Sequence, residues 1–229
     1  IMTLLFGIGA SKIMGRGIRF GILTGGSVAI CGASAALAIA AILPKTKNGE
    51  RDTIFTVIAV TTFSTIAMVP YPLIASFIGL EDKLSGVFLG GTIHDVAQVI
   101  GAGYTISNET GDIATVTKLF RVAMLVPVVL VLSIIFHGEN KSKGRAPLPL
   151  FIAGFCAMVA LNSSGIVPDV IHVLLIDLSQ WCLVTAIAAL GIKTSLKAMM
   201  TIGYQPVVVL LMESVFIAVW VLGGIWLMN

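Results

Sequence analysis

Charged residues are scarce in this sequence. They make up 11% of the 229 residues, whereas hydrophobic residues make up 57%. A soluble globular domain has about 25% charged residues, so the scarcity excludes an ordinary soluble domain and predicts an all-α polytopic membrane protein. The formal net charge is only +3, and the basic residues lie mainly in short linkers between apolar segments. Nucleic acid is therefore not an expected partner, while the lipid bilayer is.

Cysteine and the common catalytic motifs are also scarce. The three cysteines, Cys31, Cys156 and Cys182, lie in separate apolar segments, which indicates buried thiols and not a disulfide or metal set. No Walker loop or Gly-x-Ser-x-Gly element occurs, and no His, Asp or Glu cluster has metal-ligand spacing. We therefore expect no cofactor and no enzymatic activity, although an intramembrane enzyme remains an alternative.

Two apolar segments, residues 20–43 and 84–104, are interrupted by small and polar residues. The first contains Gly25-Gly26-Ser27 and the second Gly90-Gly91-Thr92. Glycine is unfavourable inside a helix, and non-helical backbone at membrane depth must be buried in protein or line a cavity. Paired broken segments of this kind point to a transporter binding site. The alternative is two independent glycine-rich packing helices.

The basic residues predict how these segments enter the membrane. If both segments are re-entrant, eleven basic linker residues lie on the cytoplasmic side and only Lys83 lies outside, as the positive-inside rule requires. The eleven are Lys12, Arg16, Arg19, Lys45, Lys47, Arg51, Lys141, Lys143, Arg145, Lys193 and Lys197. This topology makes the two segments, each with the apolar segment that follows it, an inverted repeat. Crossing broken helices remain the alternative path.

The first interrupted segment contains candidate anion-binding groups. Ser27, Cys31, Ser34 and the backbone around Gly32 lie within it. The N-terminus of a half-helix presents free N–H groups and a positive dipole end, and glycine allows a ligand to approach the backbone. Close helix packing is the structural alternative for the same residues.

The second segment contains ionisable residues. His94 and Asp95 are adjacent, Thr92 precedes them, and Gln98 lies one turn after His94. Ionisable groups at membrane depth are functional candidates, and histidine suits a proton relay. We predict proton coupling for His94 and Asp95 and substrate contact for Thr92 and Gln98. A structural hydrogen bond that ties the segment together is the alternative.

Two cations follow in the next apolar segment. Lys118 and Arg121 are three residues apart and share one helical face. Arg121 lies about 12 Å into a helix that begins near Ile113. Arginine suits bidentate binding of an oxyanion, so we predict that both cations bind substrate. A salt bridge to Asp95 or Asp112 is the alternative for Arg121. Glu213 has no evident partner, and both a packing role and a functional role are open.

Four stretches together resemble the YeiH-type family of bacterial inner-membrane proteins, which are described as sulfate exporters. They are residues 29–35 (AICGASA), 93–99 (IHDVAQV), 118–122 (KLFRV) with Pro127, and 190–195 (LGIKTS). Asp95 departs from this pattern, since many members have Glu there. The resemblance implies inverted repeats, two broken elements that cross near the midplane, and further spans ahead of Ile1.

We therefore expect a single transmembrane transporter domain over residues 1–229, with a core at 20–136 and C-terminal helices at 148–229. The expected function is export of a small anion by alternating access, with proton coupling, in the bacterial inner membrane. The resemblance implies sulfate or an organosulfonate as the substrate. The alternatives are an anion channel, an intramembrane enzyme and a cation-coupled carrier of a larger organic anion. A homo-oligomer is a possible assembly.

Overall fold

The computed structural model describes residues 1–136, 150–165 and 204–228, together with isolated residues between 166 and 185. All regular secondary structure in these parts is helical, which confirms the predicted all-α class. The helices are α1 (Met2–Ile13), α2 (Ile18–Ala29), α3 (Ala33–Ile42), α4 (Gly49–Ala67), α5 (Pro70–Ile78), α6 (Asp82–Thr92), α7 (Val96–Tyr104), α8 (Asn108–Ala123), α9 (Leu125–Phe136), α10 (Leu150–Ser163) and α11 (Tyr204–Met228).

Two helical stretches of the described residues are long and apolar enough to cross a membrane. They are Asn108–Phe136, which joins α8 and α9, and Tyr204–Leu227 in α11. A third candidate is the pair α4 and α5, which is bent by 43°. The bend precedes Pro70, because proline cannot continue the hydrogen-bond ladder of α4 but suits the first turn of α5. Helices α1, α2 and α3 are apolar but shorter.

Both interrupted segments are broken helices. Helix α2 ends at Ala29 and α3 begins at Ala33, and Gly32 between them has φ +65°, a conformation that L side chains rarely adopt. Helix α6 ends at Thr92, and Ile93 is extended. Asp95 then caps α7 through Oδ1, which accepts a hydrogen bond of 2.9 Å from the Ala97 N–H. We call residues 30–32 break 1 and residues 93–95 break 2.

The two breaks lie against each other. A Cβ atom on Gly32 would be 3.6 Å from both the Cβ and the carbonyl oxygen of His94, and 3.7 Å from Val60 of α4. A side chain at Gly32 would therefore touch break 2, although the first residues of the two breaks, 30 and 93, are 63 positions apart in the sequence. The re-entrant path of each segment, and hence the inverted orientation of the repeat, stays a prediction.

Glycines bring the neighbouring helices close to these broken segments. A Cβ on Gly21 of α2 would be 2.5 Å from the Gly7 carbonyl oxygen and 2.6 Å from Ile8 Cα in α1. On the other side, a Cβ on Gly90 of α6 would overlap the Ala114 carbonyl of α8. Small residues permit this backbone approach inside a membrane. These glycines therefore allow close helix packing, as the alternative interpretation held. The same two segments are also broken, so both interpretations apply.

The closeness of α1 and α2 leads to a stability prediction. Gly21→Ala places a methyl group against backbone atoms that have no freedom to move aside, and we expect a loss of about 1–3 kcal/mol in the free energy of unfolding. Gly9→Ala is the matched control, because a Cβ at Gly9 meets nothing within 4 Å. Thermal unfolding of the full-length protein in detergent measures both. Equal melting temperatures for the two variants would contradict the described α1–α2 packing.

Candidate functional site

Lys118 joins the two breaks. Its side chain is fully buried. Its Nζ donates hydrogen bonds of 2.8 Å to the carbonyl oxygen of Ile30 in break 1 and 2.9 Å to that of Ile93 in break 2. One ammonium group from α8 therefore bonds to both broken elements.

Arg121, one turn further along α8, also bonds to both broken segments, through its planar guanidinium group. Its Nε donates to the Ala29 carbonyl at 3.1 Å, and its Nη2 donates to the Val28 carbonyl at 2.8 Å. Its Nη1 donates to the Gly90 carbonyl at 2.9 Å and to the Ile93 carbonyl at 3.2 Å. Four of the five guanidinium N–H groups are thus bonded to the ends of α2 and α6.

These contacts have a clear physical cause. The last carbonyls of a helix have no intrahelical partner, and they form the negative end of the helix dipole. Where α2 and α6 end inside the protein, neither lipid nor bulk water can satisfy these carbonyls. Lys118 and Arg121 supply both the missing donors and the opposite charge.

The salt-bridge alternative for Arg121 does not occur in the described residues. The ion pairs found there are Arg16–Asp52 at 2.8 Å and Lys83–Glu109 at 3.9 Å. Asp95 caps α7, and Asp112 accepts a hydrogen bond of 2.6 Å from the Tyr104 hydroxyl. The substrate-binding role of Lys118 and Arg121 stays a prediction, since most of their donors are already bonded to the protein.

Break 2 is held by two hydroxyl groups that sequence reasoning missed. The backbone N–H groups of His94 and Asp95 both donate to Ser64 Oγ of α4, at 3.1 and 3.0 Å. His94 Nε2 lies 2.9 Å from Ser214 Oγ of α11. His94 Nδ1 is buried and has no hydrogen-bond partner among the described residues. The only sequence signal for Ser64 and Ser214 was a hydroxyl residue inside an apolar span, which is too common to be specific.

Ser27 lies two residues before the end of α2, and Thr92 is the last residue of α6. Each side chain is fully buried. The Ser27 hydroxyl donates to the Leu23 carbonyl at 2.5 Å, and the Thr92 hydroxyl donates to the Phe88 carbonyl at 2.6 Å. Both are bonds to the residue four positions earlier. The repeated Gly-Gly-hydroxyl sequence therefore corresponds to a repeated local structure, and substrate contact by these hydroxyls stays a prediction.

The remaining predicted residues differ in exposure. Gln98 is buried, its Nε2 donates to Thr65 Oγ1 at 2.7 Å, and its Oε1 has no partner in the described residues. Cys31 is a buried free thiol, as predicted, whereas Cys182 is exposed, so the prediction of a buried thiol there is wrong. Ser34, in the first turn of α3, is exposed. Gly32 supplies no side-chain cap to α3, so Ser34 stands beside an uncapped helix N-terminus.

The role of Arg121 at the two helix ends can be tested by a change that keeps its charge. Arg121→Lys retains one cation but loses the planar fork, so it cannot reach all the carbonyls that arginine bonds. We expect a loss of at least about 1.5–3 kcal/mol in unfolding free energy, the contribution of one hydrogen bond to a charged group. Thermal unfolding measures it, and Arg51→Lys on exposed α4 surface is the control. If Arg121→Lys unfolds at the same temperature as the parent protein, the guanidinium group does not hold the breaks in place.

Comparison with known proteins places the chain in a family. Residues 1–210 match the family model described as Conserved hypothetical protein 698. A UPF0324 membrane protein of Chlorobaculum tepidum is 58% identical over 98% of the chain and 64% of its own length. UPF0324 membrane protein TauZ of Paracoccus denitrificans is 54% identical over 98% of the chain and 68% of its own length.

More distant relatives show the same extent of similarity. A UPF0324 membrane protein of Bacillus cereus is 35% identical over 95% of the chain and 64% of its own length. The chain thus spans about two thirds of the length of these relatives. No solved structure matches. The chain therefore belongs to the family described as Conserved hypothetical protein 698, the UPF0324 membrane proteins, which is the YeiH-type family that its sequence resembles.

Proposed function

We propose that the protein is a secondary transporter that exports a small anion across the bacterial inner membrane by alternating access. The observation that carries the proposal is the pair of cations where the two breaks meet. Lys118 and Arg121 are bonded there to carbonyl groups, and neither has an ion-pair partner in the described residues.

The charge where the two breaks meet favours an anion over a cation. Two cations and one carboxylate, Asp95, give this region a formal excess of one positive charge. Buried charge without a counter-charge is costly in a medium of low dielectric constant. A bound anion would compensate it, whereas a bound cation would increase the excess.

The two half-helices that begin at the breaks are not equivalent. The N-terminus of α7 is already capped by the Asp95 carboxylate. The N-terminus of α3 has no side-chain cap, and Ser34 is exposed beside it. We therefore assign the first anion contact to the start of α3, with the backbone at Gly32 and the Ser34 hydroxyl. Cys31, Ser27, Thr92 and Gln98 would line the deeper part of the site.

A basic cavity lies near the N-terminus of α2. It has a volume of about 290 Å³, and Arg16, Arg19 and Lys47 are among the residues that line it, with Asp52 as the one acidic residue. The positive-inside rule predicts that the linkers containing these basic residues lie on the cytoplasmic side. An electropositive opening of this kind would raise the local concentration of an anion on the side from which it is exported.

Sulfate or an organosulfonate is the substrate class that we propose, and a proton is the proposed coupling ion, with His94 and Asp95 as candidate carriers. Two relatives from Paracoccus carry the name TauZ. Export of an oxyanion is preferred to an intramembrane enzyme, because no described arrangement joins Cys31 to a histidine by a hydrogen bond.

Site-directed labelling tests the anion site. Ser34→Cys is placed in the full-length protein after its other cysteines have been replaced, and its reaction with a maleimide is timed in detergent. We expect sulfate, sulfite or methanesulfonate to slow the reaction, while chloride at equal ionic strength does not. Ser164→Cys, exposed in the turn after α10, is the control and should be unaffected. Protection by inorganic cations with no effect of any oxyanion would overturn the assignment.

A further inference from the structure

Glu213 is a buried carboxyl group that the proposed anion site does not use. It lies in the middle of α11 and is fully buried. Its Oε1 is 2.7 Å from Thr24 Oγ1 of α2. The same oxygen and the Cα of Gly25 in α2 occupy the space that a side chain at position 7 of α1 would fill. Its Oε2 has no hydrogen-bond partner among the described residues.

The hydrogen bonds of Thr24 indicate the protonation state of the Glu213 carboxyl group. Thr24 Oγ1 is also 3.0 Å from the Phe20 carbonyl oxygen, which can only accept. A hydroxyl group has one hydrogen, which it would have to share between the Phe20 carbonyl and a Glu213 carboxylate in a weaker three-centre bond. Both contacts are full hydrogen bonds when Glu213 carries a proton at Oε1 and donates it to Thr24. Loss of that proton would turn the Thr24 hydroxyl from Phe20 to Glu213.

The surroundings of Glu213 contain no counter-charge in the described residues. The helices that pack against α11 are α1, α2, α4 and α6, and their titratable side chains lie near the helix ends: Lys12, Arg19, Glu50, Arg51, Asp52, Asp82 and Lys83. His94 of break 2 reaches α11 through Ser214, the residue after Glu213. A carboxylate at this position would be buried without a partner, which strongly favours its neutral form.

We infer that Glu213 is a proton-binding site, and that binding and release of its proton accompany the transport cycle. The inference rests on the proposed transport function. Consecutive residues of α11 contact α2 through Thr24 and break 2 through His94, so a rearrangement that exposes Glu213 also changes the support of break 2. Proton release leaves a carboxylate, which the Thr24 hydroxyl and entering water stabilise. Proton uptake restores the buried neutral acid.

Infrared spectroscopy of the full-length protein in lipid bilayers tests proton binding directly. A protonated carboxyl group has a C=O stretching band separate from that of a carboxylate. Oε2 accepts no hydrogen bond in the described residues. The C=O stretching band of Glu213 should therefore lie at the high-frequency end of the range for protonated carboxyl groups at neutral pH. We expect Glu213→Gln to remove it and Glu81→Gln, an exposed control, to retain it. Thr24→Val should shift the band, since the acid loses its acceptor. A spectrum unchanged by Glu213→Gln would overturn the inference.

Transport by the same preparations separates this inference from the proposed function. Glutamine is nearly isosteric with glutamic acid and can donate to Thr24, so Glu213→Gln should fold. We expect it to exchange anion across a vesicle membrane but to lose accumulation driven by a pH gradient. Accumulation equal to that of the parent would overturn the coupling role of Glu213. No anion movement by the parent protein would instead refute the proposed function, with the infrared result still deciding proton binding.

Discussion

A helix that ends inside a membrane protein leaves carbonyl groups that neither lipid nor bulk water can satisfy. Here two helices, α2 and α6, end in this way at the same place, and two cations of α8 bond to their carbonyls. The contact of the breaks, the burial of Lys118 and the excess of positive charge all follow from this requirement. Structural stability and the proposed anion affinity therefore depend on the same two side chains.

The sequence allowed prediction of those features that local chemistry determines. Glycine next to hydroxyl residues inside apolar segments predicted both breaks, because glycine is unfavourable inside a helix. The low charge content predicted the membrane class, and the four matching stretches predicted the family. The helix break at Pro70 follows from the lack of an N–H group on proline.

The partners of the buried polar groups could not be predicted in the same way. Arg121 was expected to bind an oxyanion or a carboxylate, because a sequence shows which side chains are charged but not which backbone carbonyls lack donors. Ser64 and Ser214 approach break 2 from α4 and α11 only through tertiary packing. Glu213 has no evident partner in the sequence, and only tertiary packing places the Thr24 hydroxyl beside its carboxyl group.

Thermal unfolding of Lys118→Met tests most directly whether Lys118 holds the breaks together, because the change removes its hydrogen bonds to the Ile30 and Ile93 carbonyls and keeps a side chain of similar length. Two buried carbonyl groups would then lack a donor, at a cost of about 1–3 kcal/mol each. The account predicts a clearly lower melting temperature for the full-length Lys118→Met protein in detergent, and no change for Lys12→Met, at an exposed position. A melting temperature of Lys118→Met equal to that of the parent would contradict it.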